Sequence, residues 1–505
     1  MLASIPSATV LGAAGHAVTV EVFVSPGLPG YRIVGAPDAT CRESHDRVRA
    51  ALLSSDLRWP DTRITVNLAP SGERKSGAGL DLAIAVGVLV ASRQLPEERV
   101  LGHGFVGELG LDGSVRRVPG VAPMVAALSG VVAVVPDTAA AEAHVATRHG
   151  VRVAATLREV ADALAGLGPW PEDPGPDPGV ALPPPPDLAD VRGQPVARHA
   201  LEIAAAGGHH LLLVGPPGAG KTMLAQRLPG LLPPLDAEQS LTATMVHSAA
   251  GVGLPPGGLV RLPPFRAPHH TSSVVALVGG GSHTLRPGEI SIATGGVLFL
   301  DELGEFPPSV LDGLREPLEE GVIRVARAAS HAVLPARFQL VAATNPCPCG
   351  GGGPGTCECG EVARTRYVRR LSGPLLDRFD LRVPVARPRV DDLLDRGGGE
   401  PTAVVRARVL AARTAAFERA GRLNAALHGE SLDRFAPLTP EARARLRAEM
   451  ERGRLTGRGY HRIRRVARTI ADLAGTIDGP IDLAAVEVAL SLRARLGSSP
   501  SDRAA

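Results

Sequence analysis

An eight-residue string, Gly215-Pro216-Pro217-Gly218-Ala219-Gly220-Lys221-Thr222, constrains this 505-residue chain more than any other feature in it. It fits G-x-x-x-x-G-K-[ST], a loop whose glycines let successive backbone N–H groups turn inward around phosphates. The chain contains 52 arginines but two lysines, and one of those lysines stands here. A compact ammonium reaches between phosphate groups where a forked guanidinium is a poor substitute. Before the string, His209-His210-Leu211-Leu212-Leu213-Val214 has the length and apolarity of a buried strand. After it, Thr222 to Leu228 opens as a helix, whose N-terminal dipole favours a bound anion. The Thr222 hydroxyl is placed to ligate Mg²⁺. A strand, loop and helix that bind ATP or GTP are therefore expected.

A second string, Gly296-Val297-Leu298-Phe299-Leu300-Asp301-Glu302, reads as another buried strand ending in two acids. Asp301 is expected to hold Mg²⁺ through water and Glu302 to polarise the attacking water. The two strings in this order predict a P-loop nucleotide hydrolase in an α/β fold.

The rest of the chain divides around them. Its length predicts two to four domains. Residues 169–187 contain nine prolines in nineteen positions, which excludes helix and central strand and predicts an extended spacer. It sets an N-terminal domain, 1–168, apart from a nucleotide-binding core, 188–396. A second break, near Asp391 to Pro401, precedes a helical part at 400–500. There Thr402–Ala426, Thr439–Glu451 and His461–Ala474 carry helical spacing. In the first domain Val18–Val22 and Arg63–Leu68 read as strands, Leu80–Ala91 as a helix and Val131–Val135 as a buried strand. Aromatics make up only 3% of the chain, so Leu, Val and Ala must fill these cores.

No apolar run approaches the roughly 20 residues that span a bilayer, and no charged segment followed by an apolar one opens the chain. A cytoplasmic location is expected. Charge is uneven: residues 361–505 carry +10 and residues 1–360 carry −7. Arg452, Arg454, Arg458, Arg462, Arg464, Arg465 and Arg468 crowd into 17 residues without an acid. Such a block suits contact with phosphates of nucleotide or nucleic acid, the alternative being a solvated arginine-rich helix.

Four of the five cysteines, Cys347, Cys349, Cys357 and Cys359, form a C-x-C-x₇-C-x-C arrangement. Four thiolates in a glycine-rich loop suit a tetrahedral structural Zn²⁺, with uncoordinated thiols as the alternative. Disulfides do not fit a reducing cytoplasm. Cys41 is expected to be packed in a core.

Several segments together resemble one family. Arg32-Ile33-Val34-Gly35 with Ala36-Pro37-Asp38, and Thr65-Val66-Asn67-Leu68-Ala69-Pro70, are similar to the N-terminal domain of the YifB/ComM family. Phe265-Arg266-Ala267-Pro268-His269-His270-Thr271-Ser272, Asn345-Pro346-Cys347-Pro348-Cys349-Gly350 and Tyr460-His461-Arg462-Ile463 resemble its later segments. These are Mg-chelatase-like AAA+ ATPases. The resemblance implies a Lon-protease-like (ribosomal S5 domain 2-like) α/β domain, a P-loop AAA+ core and a C-terminal helical lid. It also implies a hexameric, ATP-driven motor that promotes branch migration of DNA during natural transformation, with recombination proteins as possible partners. The alternative is a Mg-chelatase-type ATPase subunit driving metal insertion or protein remodelling.

The same resemblance assigns further roles. Asn345, after the strand Phe338–Ala343, resembles the sensor that positions the attacking water. Leu375-Leu376-Asp377-Arg378-Phe379-Asp380 resembles the segment presenting an arginine finger to a neighbouring subunit, unless Arg378 pairs with Asp377 or Asp380 in its own chain. Arg458 stands where a second sensor arginine is expected, with Arg462 a close rival. Val274–Ser282 resembles a helix-2 insert. Ile323–Arg327 and Ala332–Arg337 resemble a pore-lining hairpin, which makes Arg324 and Arg327 candidate DNA contacts. Against the Lon pattern, Gly79 stands at the nucleophile and Ala122 at the general-base lysine, so the first domain is expected to be catalytically degenerate. The His269-His270 pair is expected to be a structural loop rather than a second metal site.

Overall fold

The computed structural model describes residues 1–72, 75–173, 175, 185–281, 285–327, 330–350, 357, 359–360, 362–363, 366–367, 373–394 and 398–494. The middle of the proline-rich segment lies outside them. Its described ends are docked. Trp170 packs on His103 with ring centroids 5.7 Å apart, and Asp187 accepts hydrogen bonds from Thr402.

In the first domain the strands Leu2–Leu11, Ala14–Ser25, Arg63–Ala69 and Gly30–Val34 form one sheet in that spatial order. Arg63–Ala69 and Gly30–Val34 pair in parallel and the other neighbours antiparallel. The helix Asp81–Ala91 packs on the first two strands, and every one of its residues is buried. A helix that is apolar all round after its first residue, Asp81, needs cover on all sides. The neighbouring parallel sheet His103–Phe105, Val132–Pro136, Val151–Ala154 supplies Phe105, Val134 and Ala154 to the same core. Cys41 lies in that core, where burial raises its pKa first of all and the Asp38 carboxylate adds to the effect.

The second sheet positions the site. Five parallel strands run in the order Phe265–Arg266, Val297–Leu300, Gln339–Thr344, Leu211–Val214, Leu381–Pro384. The strand ending beside Asn345 thus separates the strand before the glycine loop from the strand before Asp301. The three central strands read as largely apolar runs because a parallel sheet is covered on both faces.

The C-terminal helices share one apolar core with this sheet, with Val405, Val409, Ile463, Val466 and Val486 in the same cluster as Leu211, Leu213 and Val341. Two boundaries differ from expectation. The helix expected over 402–426 ends at Ala420, where Gly421 turns left-handed, and Asn424–Ala426 forms a separate 3₁₀ turn. The helix expected over 461–474 is Gly457–Leu473, because the Thr456 hydroxyl caps it four residues earlier.

The first domain is seated on the second. The Gly120 N–H donates to the Ser248 carbonyl at 2.8 Å and the Ala122 N–H to Ser248 Oγ at 3.1 Å. Ser248 Oγ donates to Glu142, itself buried and paired with Arg117. At a second contact the Gly12 N–H donates to the Leu285 carbonyl.

Candidate active site

A cleft of about 680 Å³ opens at the carboxyl ends of the parallel strands, where open α/β sheets bind ligands. Its floor is the glycine loop. A β-carbon at Gly215 would stand 2.1 Å from the Val385 carbonyl oxygen, so only glycine lets the chain leave the strand there. Gly220, at φ 86°, caps the helix Lys221–Leu231. The first N–H groups of that helix lack intrahelical partners and face the loop.

Lys221 is largely buried and its Nζ donates to the carbonyls of Gly215 (2.7 Å) and Pro216 (3.0 Å) and to Asn345 Oδ1 (3.1 Å). Burial lowers its pKa while Asp301 and Glu302 oppose that shift. Phosphate oxygens are stronger acceptors for these donors than neutral carbonyls are. Thr222 Oγ1 donates to Asp301 Oδ2 at 2.6 Å. A hydroxyl and a carboxylate thus converge on one point, the oxygen chemistry that Mg²⁺ takes.

Glu302 sits at φ 52°, a left-handed conformation that costs a side-chain-bearing residue roughly 1–2 kcal/mol. Such strain persists where the surroundings over-determine it, often at functional sites. Here the Glu302 N–H donates to Asp301 Oδ1, and its carboxylate lies 3.1 Å from His270 Nδ1. The histidine pair is therefore more than a loop scaffold: His270 touches the acid expected to act on water.

Asp190, Arg192, Gln194 and Pro388 also line the cleft, and sequence reasoning passed over them. They bear no recognisable spacing. Gln194 itself adopts a left-handed conformation and donates to the carbonyls of Ala219 and Ala386, tying the loop to the last strand.

The expected arginines lie elsewhere. Neither Arg378 nor Arg458 lines the cleft of its own chain. Arg378 pairs with Glu319, not with Asp377 or Asp380. Asp380 is instead buried between His209 (3.4 Å) and Arg462 (3.2 Å). Burial, then the charges of Arg462, Arg458 and Arg315, push the Arg378 guanidinium below its usual pKa. Arg378, Arg458, Arg462 and Arg315 thus gather positive charge outside the cleft of their own chain.

The arginine block is mostly engaged within the chain. Arg464 pairs with Asp433 and Arg468 with Asp472, both arginines being buried. Arg458 is exposed. On the hairpin Val322–Arg327/Ser330–Pro335, Arg324 is paired with Glu316 (3.0 Å) and Glu320. The Arg327 side chain lies outside the described part.

Cys347, Cys349, Cys357 and Cys359 place their Sγ atoms within 4.8 Å of one another. In the first domain a β-carbon on Gly79 would meet Met124 and Val118, and the Ala122 N–H is taken by Ser248. Apolar side chains and the Ser248 hydroxyl thus surround Gly79 and Ala122. Among the described residues no helix is long and apolar enough to cross a membrane.

Comparison with known proteins gives concordant matches. The family model "Magnesium chelatase, subunit ChlI" matches residues 187–393, "Subunit ChlI of Mg-chelatase" matches 20–137, and "Magnesium chelatase, subunit ChlI C-terminal" matches 399–493. The uncharacterized protein Rv2897c of Mycobacterium tuberculosis is 46% identical over 497 residues, covering 96% of this chain and 97% of its own. The competence protein ComM of Haemophilus influenzae is 43% identical, covering 94% of each chain. The uncharacterized protein YifB of Escherichia coli is 43% identical, covering 92% of each. A weaker match, 29% identical over 35% of this chain and 21% of the other, is to a probable DNA helicase MCM9 of rice.

Proposed function

The chain belongs to the YifB/ComM family of Mg-chelatase-like AAA+ ATPases, and from that premise we propose that it is a ring-forming motor on DNA. In this reading it hydrolyses ATP to drive branch migration of single-stranded or branched DNA, as a hexamer, in recombination or natural transformation. One observation carries it: Lys221, Thr222, Asp301, Glu302 and Asn345 meet in one cleft, while Arg378 and Arg458 stand outside it. A site divided in this way is completed by a neighbouring copy.

Each residue then has a task. The loop N–H groups and Lys221 bind the β- and γ-phosphates. Thr222 and Asp301 would hold Mg²⁺, which supplies charge neutralisation across the phosphates. Glu302, steadied by His270, orients and polarises water, and Asn345 places that water. Arg378 and Arg458 serve the neighbour's nucleotide. Zn²⁺ is assigned to the four cysteines. The first domain, Lon-like in ancestry and degenerate at Gly79 and Ala122, serves assembly rather than proteolysis.

The names of two relatives, a competence protein and a probable DNA helicase, support DNA as the track. A second reading, metal insertion or protein remodelling, draws on the chelatase family descriptions and on the ion-paired state of Arg324. ATP hydrolysis measured with no DNA, single strands, duplex and a four-way junction at two salt concentrations separates them. Stimulation by single-stranded or branched DNA that fades steeply with salt is expected for a motor that contacts phosphates. Hydrolysis indifferent to every DNA would select the second reading.

A further inference from the structure

The turn that begins the cysteine cluster touches the phosphate-binding loop. The Gly350 N–H donates to the Cys347 carbonyl at 3.0 Å, closing a tight turn with Gly350 at φ 76°. A β-carbon on Gly350 would stand 2.8 Å from both Cδ and Cγ of Pro217, in the middle of the glycine loop. Cys347 is buried, two residues beyond Asn345, which accepts from Lys221. Tyr367, eight residues beyond the last cysteine, also reaches the cleft. Tyr367 is buried, and its hydroxyl lies 3.1 Å from Thr344 Oγ1, a group at the cleft. Its ring packs so closely on Gly304 that a β-carbon there would come within 2.7 Å. Gly304 follows Glu302 by two residues. Gly350 and Tyr367 therefore each touch residues that line the cleft, Pro217 and Thr344.

The sulfur geometry fits one ion. Tetrahedral Zn–S bonds of about 2.3 Å imply S···S edges of about 3.8 Å. Cys347 and Cys349 are 3.4 Å apart, Cys349 and Cys357 3.7 Å, and Cys357 and Cys347 3.5 Å. Cys359 completes the set within 4.8 Å. These separations are far beyond an S–S bond of about 2.05 Å. Thiolates packed so closely repel one another unless a cation lies among them.

We infer that the four-cysteine cluster is a Zn²⁺-loaded clasp on the nucleotide cleft, holding Pro217 and Asn345 in place so that ATP affinity depends on the bound metal. This rests on the ATP and zinc readings above and adds the dependence of one on the other.

The test uses the full-length protein in Mg²⁺ buffer, with zinc measured by elemental analysis and affinity by titration with a fluorescent ATP analogue. About one zinc per chain is expected. Its removal by a zinc-selective chelator is expected to weaken ATP binding at least tenfold, with recovery when Zn²⁺ is returned. Because stripped protein can lose its fold, Gly350→Ala supplies an independent arm. It keeps all four thiols but forces a β-carbon against Pro217, so zinc is expected to stay while ATP affinity falls at least tenfold. Gly360→Ala, where a β-carbon meets nothing within 4 Å, is the control with both properties retained. Unchanged affinity after zinc leaves, or in Gly350→Ala, overturns the clasp while the zinc reading stands. Zinc-free protein that binds ATP normally overturns both. Lys221→Ala binding ATP like the parent chain would instead indict the ATP reading itself.

Discussion

Glu302→Gln is expected to bind ATP with near-normal affinity and hydrolyse it roughly 10²- to 10⁴-fold more slowly, the span a positioned proton acceptor contributes. The amide keeps the shape and the left-handed turn but loses the charge that polarises water. Rapid-quench hydrolysis beside a nucleotide titration reads both quantities. Normal turnover would remove Glu302 from the mechanism. Lys221→Ala gives the complementary loss: its Nζ serves the loop and Asn345 together, so binding itself should fail. His270→Ala is expected to lie between these limits. Its ring holds the Glu302 carboxylate at 3.1 Å without lining the cleft, so kcat should fall several-fold with binding retained. A loss confined to nucleotide affinity would assign His270 a merely structural role.

Much of this site was legible in the sequence because its parts are local. A strand, a glycine loop and a helix are neighbours along the chain, and the phosphate chemistry dictates their residue types. The same holds for the apolar run ending in Asp301 and Glu302. What stayed hidden depends on residues brought together from afar. His270 reaches Glu302 across 32 positions, and Gln194 reaches Ala386 across 192. No local pattern announces either contact.

The arginine block shows the opposite failure. Seven arginines without a nearby acid read as a surface for phosphates. Their acids arrive from outside the stretch: Asp433 to Arg464, Asp380 to Arg462 and Asp472 to Arg468. Helix Gly457–Leu473 thus turns several of its charges inward, and charge counting within a window cannot detect that. Domain seating was equally invisible. The buried Ser248–Glu142 contact joins residues 106 positions apart and rests on small polar groups with no distinguishing spacing.

Arg378→Ala is expected to lower ATP hydrolysis roughly 10³-fold or more, the scale of an arginine delivered to the γ-phosphate of a neighbour. Within its own chain Arg378 is held by Glu319, and Arg315, Arg458 and Arg462 add positive charge around it. Like charges gathered in a partly desolvated place are unfavourable unless anions offset them, and Glu319, Asp312 and Asp380 pair with Arg378, Arg315 and Arg462 in this chain. In the proposed ring, the γ-phosphate of an adjoining subunit would be a further such anion. This division of labour makes a specific claim about mixtures. Arg378→Ala chains retain an intact cleft, whereas Lys221→Ala chains retain an intact arginine. At an interface where the first supplies the cleft and the second the arginine, a complete site forms. Mixing the two inactive proteins should therefore restore a measurable share of turnover, rising and then falling with their ratio. A purely intrachain role, in which Arg378 only anchors Glu319, predicts no recovery at any ratio. Glu319→Gln distinguishes the cases further: loss of an anchor should lower thermal stability as Arg378→Ala does, while an arginine acting in trans should keep its turnover without Glu319.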